Sequence, residues 1–205
     1  MSTPLVWQPS MFDADEQPSV DAAFTTLVRH QLDDRAWVDH APGWLSGAGA
    51  TFEALVEKAD WAQHTRLLYG NEVIQPRLNA PWRDVSGAAL VPVLEDAHRL
   101  LCARYRVEFD SGMMNLYRDG RDSVAWHRDK IPASVVDPIV VVLSVGQPRT
   151  YRLRPWRGRS GRSHTFRLGN GDLLVTGGTT QRTWEHTVPK VASAGPRISI
   201  TMRHS

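Results

Sequence analysis

Apolar residues follow a helical spacing in the first half of the chain. The spacing predicts amphipathic helices over residues 51–61 and 89–105, because in each segment the apolar positions fall on one helical face. A shorter helix is predicted over 22–32, with Asp21 as its N-terminal cap. Residues 1–20 are expected to form an extended lead-in. Helices therefore dominate the part of the chain that comes first.

After Tyr105 the apolar pattern changes to short alternating runs separated by turn residues. Glycine-containing turns are predicted at Gly120, at 169–171 and at 177–178. Many short strands joined by such turns are typical of an antiparallel barrel or jelly roll, so we predict an α+β, mainly β fold. The predicted strands lie near residues 107–109, 113–118, 124–127, 139–145, 149–154, 163–168, 172–176, 183–187 and 197–203.

Length and composition indicate a single globular domain. The 205 residues can bury a sizeable core, and a content of 41% apolar and 22% charged residues is ordinary for a soluble protein. Cys102 is the only cysteine in the sequence, which excludes an internal disulfide framework and any site that needs several cysteines. The sequence shows no basic and apolar leader and no apolar stretch of membrane-span length. We therefore expect a cytoplasmic protein with no membrane association.

The clearest chemical signal is the pair His127 and Asp129, two positions apart at the end of a predicted strand. In extended backbone both side chains leave the same face, so an imidazole nitrogen and a carboxylate oxygen can converge on one point. His186, in another predicted strand, is a candidate third ligand. Two histidines and one carboxylate leave open positions on an octahedral iron(II). Alone the pair is a weak signal, because His and Asp also meet by chance on solvated strands.

The strand predicted over 197–203 has an unusual polar face. Its period of two places Arg197, Ser199, Thr201 and Arg203 together. A guanidinium is rarely buried without a partner, and its planar fork suits a carboxylate. This face therefore predicts an anion, and a dicarboxylate would suit it. The alternative interpretation is the solvated polar face of an edge strand.

Charge is unevenly placed along a chain whose formal net charge is only +2. Residues 146–167 contain seven arginines and no acidic residue, interleaved with Tyr151 and Trp156. Clustered guanidinium groups beside aromatic rings suit a phosphate backbone and unstacked bases. A solvated hairpin whose arginines serve solubility explains the composition equally well. The seven residues are Arg149, Arg152, Arg154, Arg157, Arg159, Arg162 and Arg167.

Together and in this order, these segments resemble the AlkB family of Fe(II)- and 2-oxoglutarate-dependent nucleic-acid dealkylases. The segments that carry the resemblance are Asn115-Leu116-Tyr117, Trp126-His127-Arg128-Asp129, Val142-Leu143-Ser144-Val145-Gly146, Gly171-Asp172-Leu173-Leu174-Val175, His186-Thr187-Val188-Pro189-Lys190 and the strand at 197–203 with the preceding Pro196. The resemblance implies one domain over 1–205, with a double-stranded β-helix (jelly-roll) core over 106–205. Residues 1–105 would supply supporting helices and a substrate lid.

The resemblance also implies the cofactors and the residues that hold them. His127, Asp129 and His186 would bind iron(II), where O2 would also bind. The cosubstrate would be 2-oxoglutarate, with its distal carboxylate held by Arg197. The other residues implied at the cosubstrate are Asn115, Tyr117, Ser199 and Arg203. Some relatives have Asn at the position of Ser199, and a serine hydroxyl can still donate a hydrogen bond to a carboxylate.

The family's substrate lid would correspond to residues 75–83. Trp82 would stack on a flipped base, and the alternative is that its ring folds back onto the helix at 89–105. The predicted substrate-binding residues are Trp82, Arg77 and Trp126, and the predicted nucleic-acid contacts are Arg157 and Arg159.

The activity implied by the resemblance is oxidative removal of N-alkyl groups from damaged bases such as 1-methyladenine or 3-methylcytosine, with release of formaldehyde. The implied partner is alkylated DNA, single- or double-stranded, and no obligate protein partner is evident. Many relatives carry an acidic residue where this chain has Ile131, which leaves base preference open. The alternatives are an oxygenase acting on RNA, a protein or a small molecule, a cupin-like hydrolase or isomerase, and a non-catalytic nucleic-acid-binding module.

Overall fold

The computed structural model describes Leu5 and residues 16–68 and 71–204, and this part of the chain is mainly antiparallel β-structure. The strands are β1 (Ser19–Val20), β2 (Val28–Gln31), β3 (Ala36–Ala41), β4 (Leu45–Ser46), β5 (Thr65–Leu68), β6 (Asn71–Ile74), β7 (Leu78–Ala80), β8 (Ser111–Tyr117), β9 (Val124–His127), β10 (Val140–Gly146), β11 (Arg149–Pro155), β12 (His164–Leu168), β13 (Asp172–Gly178), β14 (Trp184–Val188) and β15 (Arg197–Arg203). The helices are α1 (Ala48–Lys58), α2 (Pro92–Tyr105) and α3 (Thr180–Thr183). None of these described helices has the length and apolar character that a membrane span requires.

Two antiparallel sheets make up the core, and β1–β4 and β5–β6 form separate two-stranded pairs. The larger sheet has the strand order β2-β3-β13-β10-β15-β8-β7, and the smaller has the order β12-β11-β14-β9. Apolar residues of both sheets pack into one cluster, with Leu174 from the larger sheet and Leu153 and Trp184 from the smaller. Two packed antiparallel sheets with crossing connections form a jelly roll, so the predicted fold class is confirmed.

Helices α1 and α2 pack on the other face of the larger sheet. All residues of β10 are buried, which shows that this strand is covered on both sides. Val141, Leu143 and Val145 belong to the cluster that contains the apolar residues of the helices. Val142 belongs to the cluster between the sheets. Because side chains alternate along a strand, Ser144 also faces the space between the sheets.

The two longer helices are confirmed with shifted ends. α2 begins at Pro92 rather than at 89, because proline lacks a backbone N–H and is favoured in the first helical turn. It ends before Arg106, which has a left-handed φ of 56°. α1 begins at Ala48 rather than at 51, since its first turn is made of small residues without an amphipathic signal.

The helix predicted over 22–32 is wrong. The Asp21 carboxylate accepts hydrogen bonds from the backbone N–H groups of Ala23 and Thr25, and Phe24 has a positive φ of 53°. Asp21 therefore stabilises a turn instead of starting a helix. The chain then enters β2, which pairs with β3 at the edge of the larger sheet.

The first half of the chain contributes more than helices and a lid. β2, β3 and β7 extend the larger sheet at its two edges, beside the eight strands of residues 111–203 that form the two facing layers. The strand predicted over 107–109 is instead a loop between α2 and β8. The other strands predicted after Tyr105 are present, with each end within two residues of its predicted position. Most of the predicted lead-in over 1–20 lies outside the described residues.

Candidate metal centre and the pocket beside it

The three predicted metal ligands come together in the structure. His127 in β9 pairs directly with His186 in β14, and Asp129 follows β9. Asp129 Oδ1 lies 3.5 Å from Nε2 of His127 and 3.9 Å from Nε2 of His186. The candidate ligand atoms all lie within 4.8 Å of one another. Two imidazole nitrogens and one carboxylate oxygen at this spacing can hold one metal ion on a single face.

The protonation of both histidines suits metal binding. Nδ1 of His127 lies 2.9 Å from the carbonyl oxygen of Ala125, so we assign the hydrogen to Nδ1, which donates it. The lone pair of Nε2 is then available to a metal. His186 is only 8% exposed, and burial together with the nearby His127 lowers its pKa to about 3. The imidazole of His186 is therefore neutral at pH 7, which is the form that binds metals.

Asp129 is held as a carboxylate by its surroundings. Its Oδ2 atom accepts a hydrogen bond from Nε of Arg203 at 2.8 Å. Burial by itself would raise the pKa of the Asp129 carboxyl. At the low pH at which this carboxyl would take up a proton, contact with His127, the charge of His186, which is protonated there, and the charge of Arg203 hold that pKa well below its ordinary value. The side chain therefore carries its negative charge throughout the physiological range.

The short helix α3 positions two of the ligands. The side-chain oxygen of Gln181 accepts a hydrogen bond from the backbone N–H of Asp129 at 3.0 Å. Arg182 donates to three carbonyl oxygens in the loop 131–135 that follows. Because α3 leads directly into β14, the same element sets the start of the strand that carries His186.

A β-bulge brings His127 into the pocket. Val124 pairs with Val188, whereas His127 pairs with His186, so β9 has one residue more than β14 between these two pairs. Val124 and His127 consequently both line the pocket. Trp126 lies in the bulge, with the Arg154 guanidinium 4.1 Å from its ring centroid, and it is not among the pocket-lining residues that the structure describes. Trp126 therefore lies outside this pocket, and its role in substrate binding stays a prediction.

The pocket beside the triad contains every predicted cosubstrate residue and one of the predicted substrate residues, Arg77. Valine side chains form its apolar wall. The cosubstrate residues are Asn115, Tyr117, Arg197, Ser199 and Arg203, and the valines are Val124, Val140, Val142 and Val188. The polar face predicted for the C-terminal strand is thus an inner surface of the jelly roll. It is not the solvated face of an edge strand, since β15 lies between β10 and β8.

Arg197 is a buried cation with no hydrogen bond to an acidic side chain among the described residues. It is 1% exposed, and burial lowers its pKa to about 10, so the guanidinium is still charged at pH 7. Its Nε atom donates to the hydroxyl of Ser144 at 2.9 Å. Its Nη2 atom is buried without a hydrogen-bond partner among the described residues. An unsatisfied guanidinium donor in a pocket fits a ligand carboxylate, as 2-oxoglutarate would provide.

The amide of Asn115 has a fixed orientation. Its Oδ1 atom accepts hydrogen bonds from Nε of Arg77 at 2.9 Å and from Nδ2 of Asn79 at 2.7 Å. Two donors at the oxygen leave the Asn115 NH2 group as the free end of the side chain. Asn79, Asn115 and Ser199 are direct cross-strand neighbours on β7, β8 and β15. Asn79 therefore presents Asn115 as a hydrogen-bond donor to a ligand in the pocket.

Sequence reasoning missed three residues of the site. Tyr151 stacks on His186, with ring centroids 5.2 Å apart, and burial raises the pKa of its hydroxyl well above the ordinary value. Ser144 and Asn79 contact Arg197 and Asn115 as described above. The sequence signal for Tyr151 is the alternation of β11, in which Tyr151 and Leu153 are buried while Arg152 and Arg154 are exposed. The roles of Ser144 and Asn79 follow from strand pairing, which has no local sequence signal.

The arginine-rich segment divides between core and surface. Arg149 is 2% exposed and donates to the carbonyl oxygens of Asp119, Asp122 and Pro189, so it belongs to the core. Arg154 forms an ion pair with Glu185 at 2.6 Å. The remaining arginines have exposed side chains: Arg152, Arg157, Arg159, Arg162 and Arg167.

Trp82 does not lie where a base-stacking role requires. Its ring is 4% exposed and lies 5.6 Å from the ring of His98 on α2, and Arg83 covers it at 4.0 Å. It is absent from the described lining of the pocket beside the triad. The alternative, in which Trp82 folds back onto this helix, is therefore the correct one for this structure. Ile131 is also buried, at 6% exposure.

Comparison with known proteins agrees with this site. Residues 39–203 match the 2OG-Fe(II) oxygenase superfamily. The chain is 33% identical over 182 residues to the alpha-ketoglutarate-dependent dioxygenase alkB homolog 3 of Bos taurus, covering 79% of this chain and 64% of that protein. It is 28% identical over 192 residues to the DNA oxidative demethylase ALKBH2 of Arabidopsis thaliana, covering 74% of this chain and 60% of that protein. The chain thus spans less than two thirds of the length of these relatives.

Solved structures show the same fold. A prolyl hydroxylase from Trichoplax adhaerens, in complex with a hypoxia inducible factor peptide, matches with a TM-score of 0.53 at 13% identity, covering 82% of this chain and 83% of that one. A 2OG-Fe(II) oxygenase family oxidoreductase from Burkholderia pseudomallei matches with a TM-score of 0.50 at 15% identity, covering 75% and 76%.

Replacement of Trp82 by Ala should destabilise the protein without altering the pocket. Loss of a buried tryptophan leaves a cavity and lowers the free energy of unfolding by about 3–5 kcal/mol. Urea unfolding followed by circular dichroism measures this change. Trp126→Ala is the matched control and should cost less, because Trp126 lies outside the core clusters. Unchanged stability of Trp82→Ala with weaker oligonucleotide binding would restore the lid role.

Replacement of Asn79 by Leu should weaken binding of 2-oxoglutarate while leaving metal affinity unchanged. Leucine has the same number of side-chain heavy atoms but cannot donate to Asn115 Oδ1, so the Asn115 amide keeps only Arg77 as a donor and is held less firmly. Loss of one ordered hydrogen bond to a charged ligand corresponds to roughly a tenfold weaker Kd. Calorimetric titration of 2-oxoglutarate into the Mn(II)-loaded protein measures it, with Arg197→Gln as the reference for a larger loss. An Asn79→Leu protein with the affinity of the parent would show that Asn115 needs no such support.

Proposed function

Since this chain belongs to the 2OG-Fe(II) oxygenase superfamily, and within it to the AlkB family, we propose that it is a dioxygenase that removes N-alkyl groups from damaged DNA bases. The observation that carries the proposal is one pocket that joins the His127, Asp129 and His186 triad to the buried guanidinium of Arg197. The donor atoms of such a pocket suit an iron ion at one end and a dicarboxylate cosubstrate at the other.

The residues present fit both groups. Iron(II) would be held by the triad, and the distal carboxylate of 2-oxoglutarate by Arg197, with the keto-acid end toward the metal. When bound, iron with 2-oxoglutarate and O2 supplies the oxidising power that converts an N-methyl group to formaldehyde and the repaired base. The chain's own residues orient these groups. Arg203 holds Asp129 in place, and Tyr151 packs on His186.

The valine wall limits what else enters the pocket. Its apolar lining consists of Val124, Val140, Val142 and Val188. An organic ligand that packs on these side chains would displace water from beside the triad. The side chain of His127 is 36% exposed, whereas those of Asp129 and His186 are nearly buried. A substrate base would therefore reach a metal held by the triad from the side of His127.

The proposed substrate is alkylated DNA, and the support for it is partly electrostatic. A relative is a DNA oxidative demethylase by name, and the exposed arginines between β11 and β12 offer guanidinium groups to phosphates. A base inside a duplex cannot reach a metal buried between two sheets, so the enzyme must act on single strands or flip the base out. A methylated base that no longer pairs well is easier to extrude.

The activity is tested by mass spectrometry of oligonucleotides that contain 1-methyladenine or 3-methylcytosine, as single strands and as duplexes. Incubation with the protein, Fe(II), ascorbate and 2-oxoglutarate in air should remove one methylene mass. The reaction should require both iron and 2-oxoglutarate and should be absent from His127→Ala. Succinate formation without a mass change would overturn the substrate assignment, and no succinate at all would contradict the enzyme assignment.

Charge reversal of Arg157 and Arg159 should flatten the salt dependence of oligonucleotide binding. Each phosphate contact contributes about 0.7–0.9 to the slope of log K against log salt, so the double Glu variant should lose about 1.4–1.8. Fluorescence anisotropy at several salt concentrations measures the slope. Arg99→Glu, which changes an exposed arginine on α2, should leave it almost unaltered. An equal slope in the parent and the double variant would remove this loop from the nucleic-acid surface.

A further inference from the structure

A second group of side chains with metal-binding chemistry lies outside the pocket, where α2 ends. His98 and Cys102 are four residues apart on α2, so they share one helical face. Glu108 follows the left-handed residue Arg106, at which the chain turns back beside the helix. One nitrogen, one sulfur and one oxygen ligand atom from these side chains lie within 4.8 Å of one another.

The separations approach those of a tetrahedral zinc site. Nε2 of His98 lies 3.6 Å from Sγ of Cys102 and 3.6 Å from Oε1 of Glu108. Bonds of about 2.3 Å to sulfur and about 2.0 Å to nitrogen or oxygen give S···N and N···O separations of roughly 3.5 and 3.3 Å around a tetrahedral ion. The Glu108 side chain is 74% exposed, so it can move by the few tenths of an ångström that separate the observed N···O distance from the ideal one.

The surroundings hold the central ligand and leave a path for an ion. The ring of His98 packs beside Trp82, and its Nε2 atom lies 2.9 Å from the carbonyl oxygen of Phe109. In the metal-free protein this nitrogen donates its hydrogen to that oxygen. A metal bound to Nε2 would displace the hydrogen and lie beside the Phe109 carbonyl oxygen, which would then be one of its ligands. The site is therefore formed in advance by packing, and an ion can enter past the exposed Glu108.

We propose that His98, Cys102 and Glu108 form a second metal site, selective for zinc(II), with the carbonyl oxygen of Phe109 at the fourth position. A thiolate favours zinc, whereas the triad has no sulfur ligand and suits iron(II). The zinc ties the end of α2 to the loop that enters β8, the strand that carries Asn115 and Tyr117. Because the Glu108 ligand is exposed, this zinc is exchangeable, so it stabilises the fold without being required for it.

Cobalt(II) titration of the full-length, metal-stripped protein under a phosphine reductant tests the site. Because Cys102 is the only cysteine in the sequence, a thiolate-to-cobalt charge-transfer band can come only from this site and not from the triad. The expected result is a band that saturates at one equivalent and is abolished by zinc. Asp129→Ala should keep the band, and Cys102→Ser should lose it. Glu108→Gln should weaken cobalt binding on the order of tenfold or more.

Two results would overturn the proposal. One is the absence of the band at saturating cobalt in parent protein that circular dichroism shows to be folded. The other is a band of unchanged affinity in both Glu108→Gln and His98→Gln, which would mean adventitious binding to the thiol alone. Thermal unfolding gives an independent readout, since zinc should raise the Tm of the parent and of Asp129→Ala but not of Cys102→Ser.

Discussion

The burial of the Arg197 guanidinium is the constraint on which the pocket depends. A charge removed from water needs compensation, and among the described residues its direct contacts are the Ser144 hydroxyl and the ring of Tyr117, with Asp172 acting on it through space. Arg149 lies on the same tyrosine ring, also 5.4 Å from its centroid, so Tyr117 separates two cations. Neither arginine has an acidic side chain as a hydrogen-bond partner. The positive potential at this end of the pocket is therefore left for a ligand to neutralise.

The opposite end of the pocket has the reverse balance. Asp129 is a carboxylate whose charge is balanced by the Arg203 guanidinium, which donates to it. A second anion finds less attraction there than at Arg197 unless a metal cation is present. A dicarboxylate with different ends therefore has one favoured direction in the pocket. The polarity of the site follows from strand pairing, since β15 carries Arg197 at one end and Arg203 at the other.

Much of the site was readable from the sequence because strand alternation is a local property. The period of two placed Arg197 and Arg203 on one face, and it placed His127 with Asp129, as the structure shows. The same rule, applied to β11, separates inward Tyr151 from its exposed arginine neighbours, although composition alone had drawn attention to the arginines.

The errors share a physical cause, which is contact between residues far apart in the chain. β3 is a strand because it pairs with β13, and the sequence around residue 36 contains no signal for that pairing. The prolines around Trp82 predict a loop, in which a tryptophan ring would be exposed. The ring is buried instead, because α2 provides an apolar surface for it to pack on. Asn79 gains its role only when β7 and β8 pair in register. Such outcomes depend on tertiary packing, which overrides local preference.

Because of the bulge, the number of residues in β9 decides which side chains face the pocket. Side chains of a regular strand alternate between its two faces, and the extra residue between Val124 and His127 shifts this alternation by one just before the metal ligands. With one residue fewer, the pairing would be regular, but either the ligands or Val124 would turn to the opposite face of the sheet. With one more, the same exchange would occur in the other direction. Ala125 and Trp126, which lie between Val124 and His127, can therefore change in identity far more readily than in number.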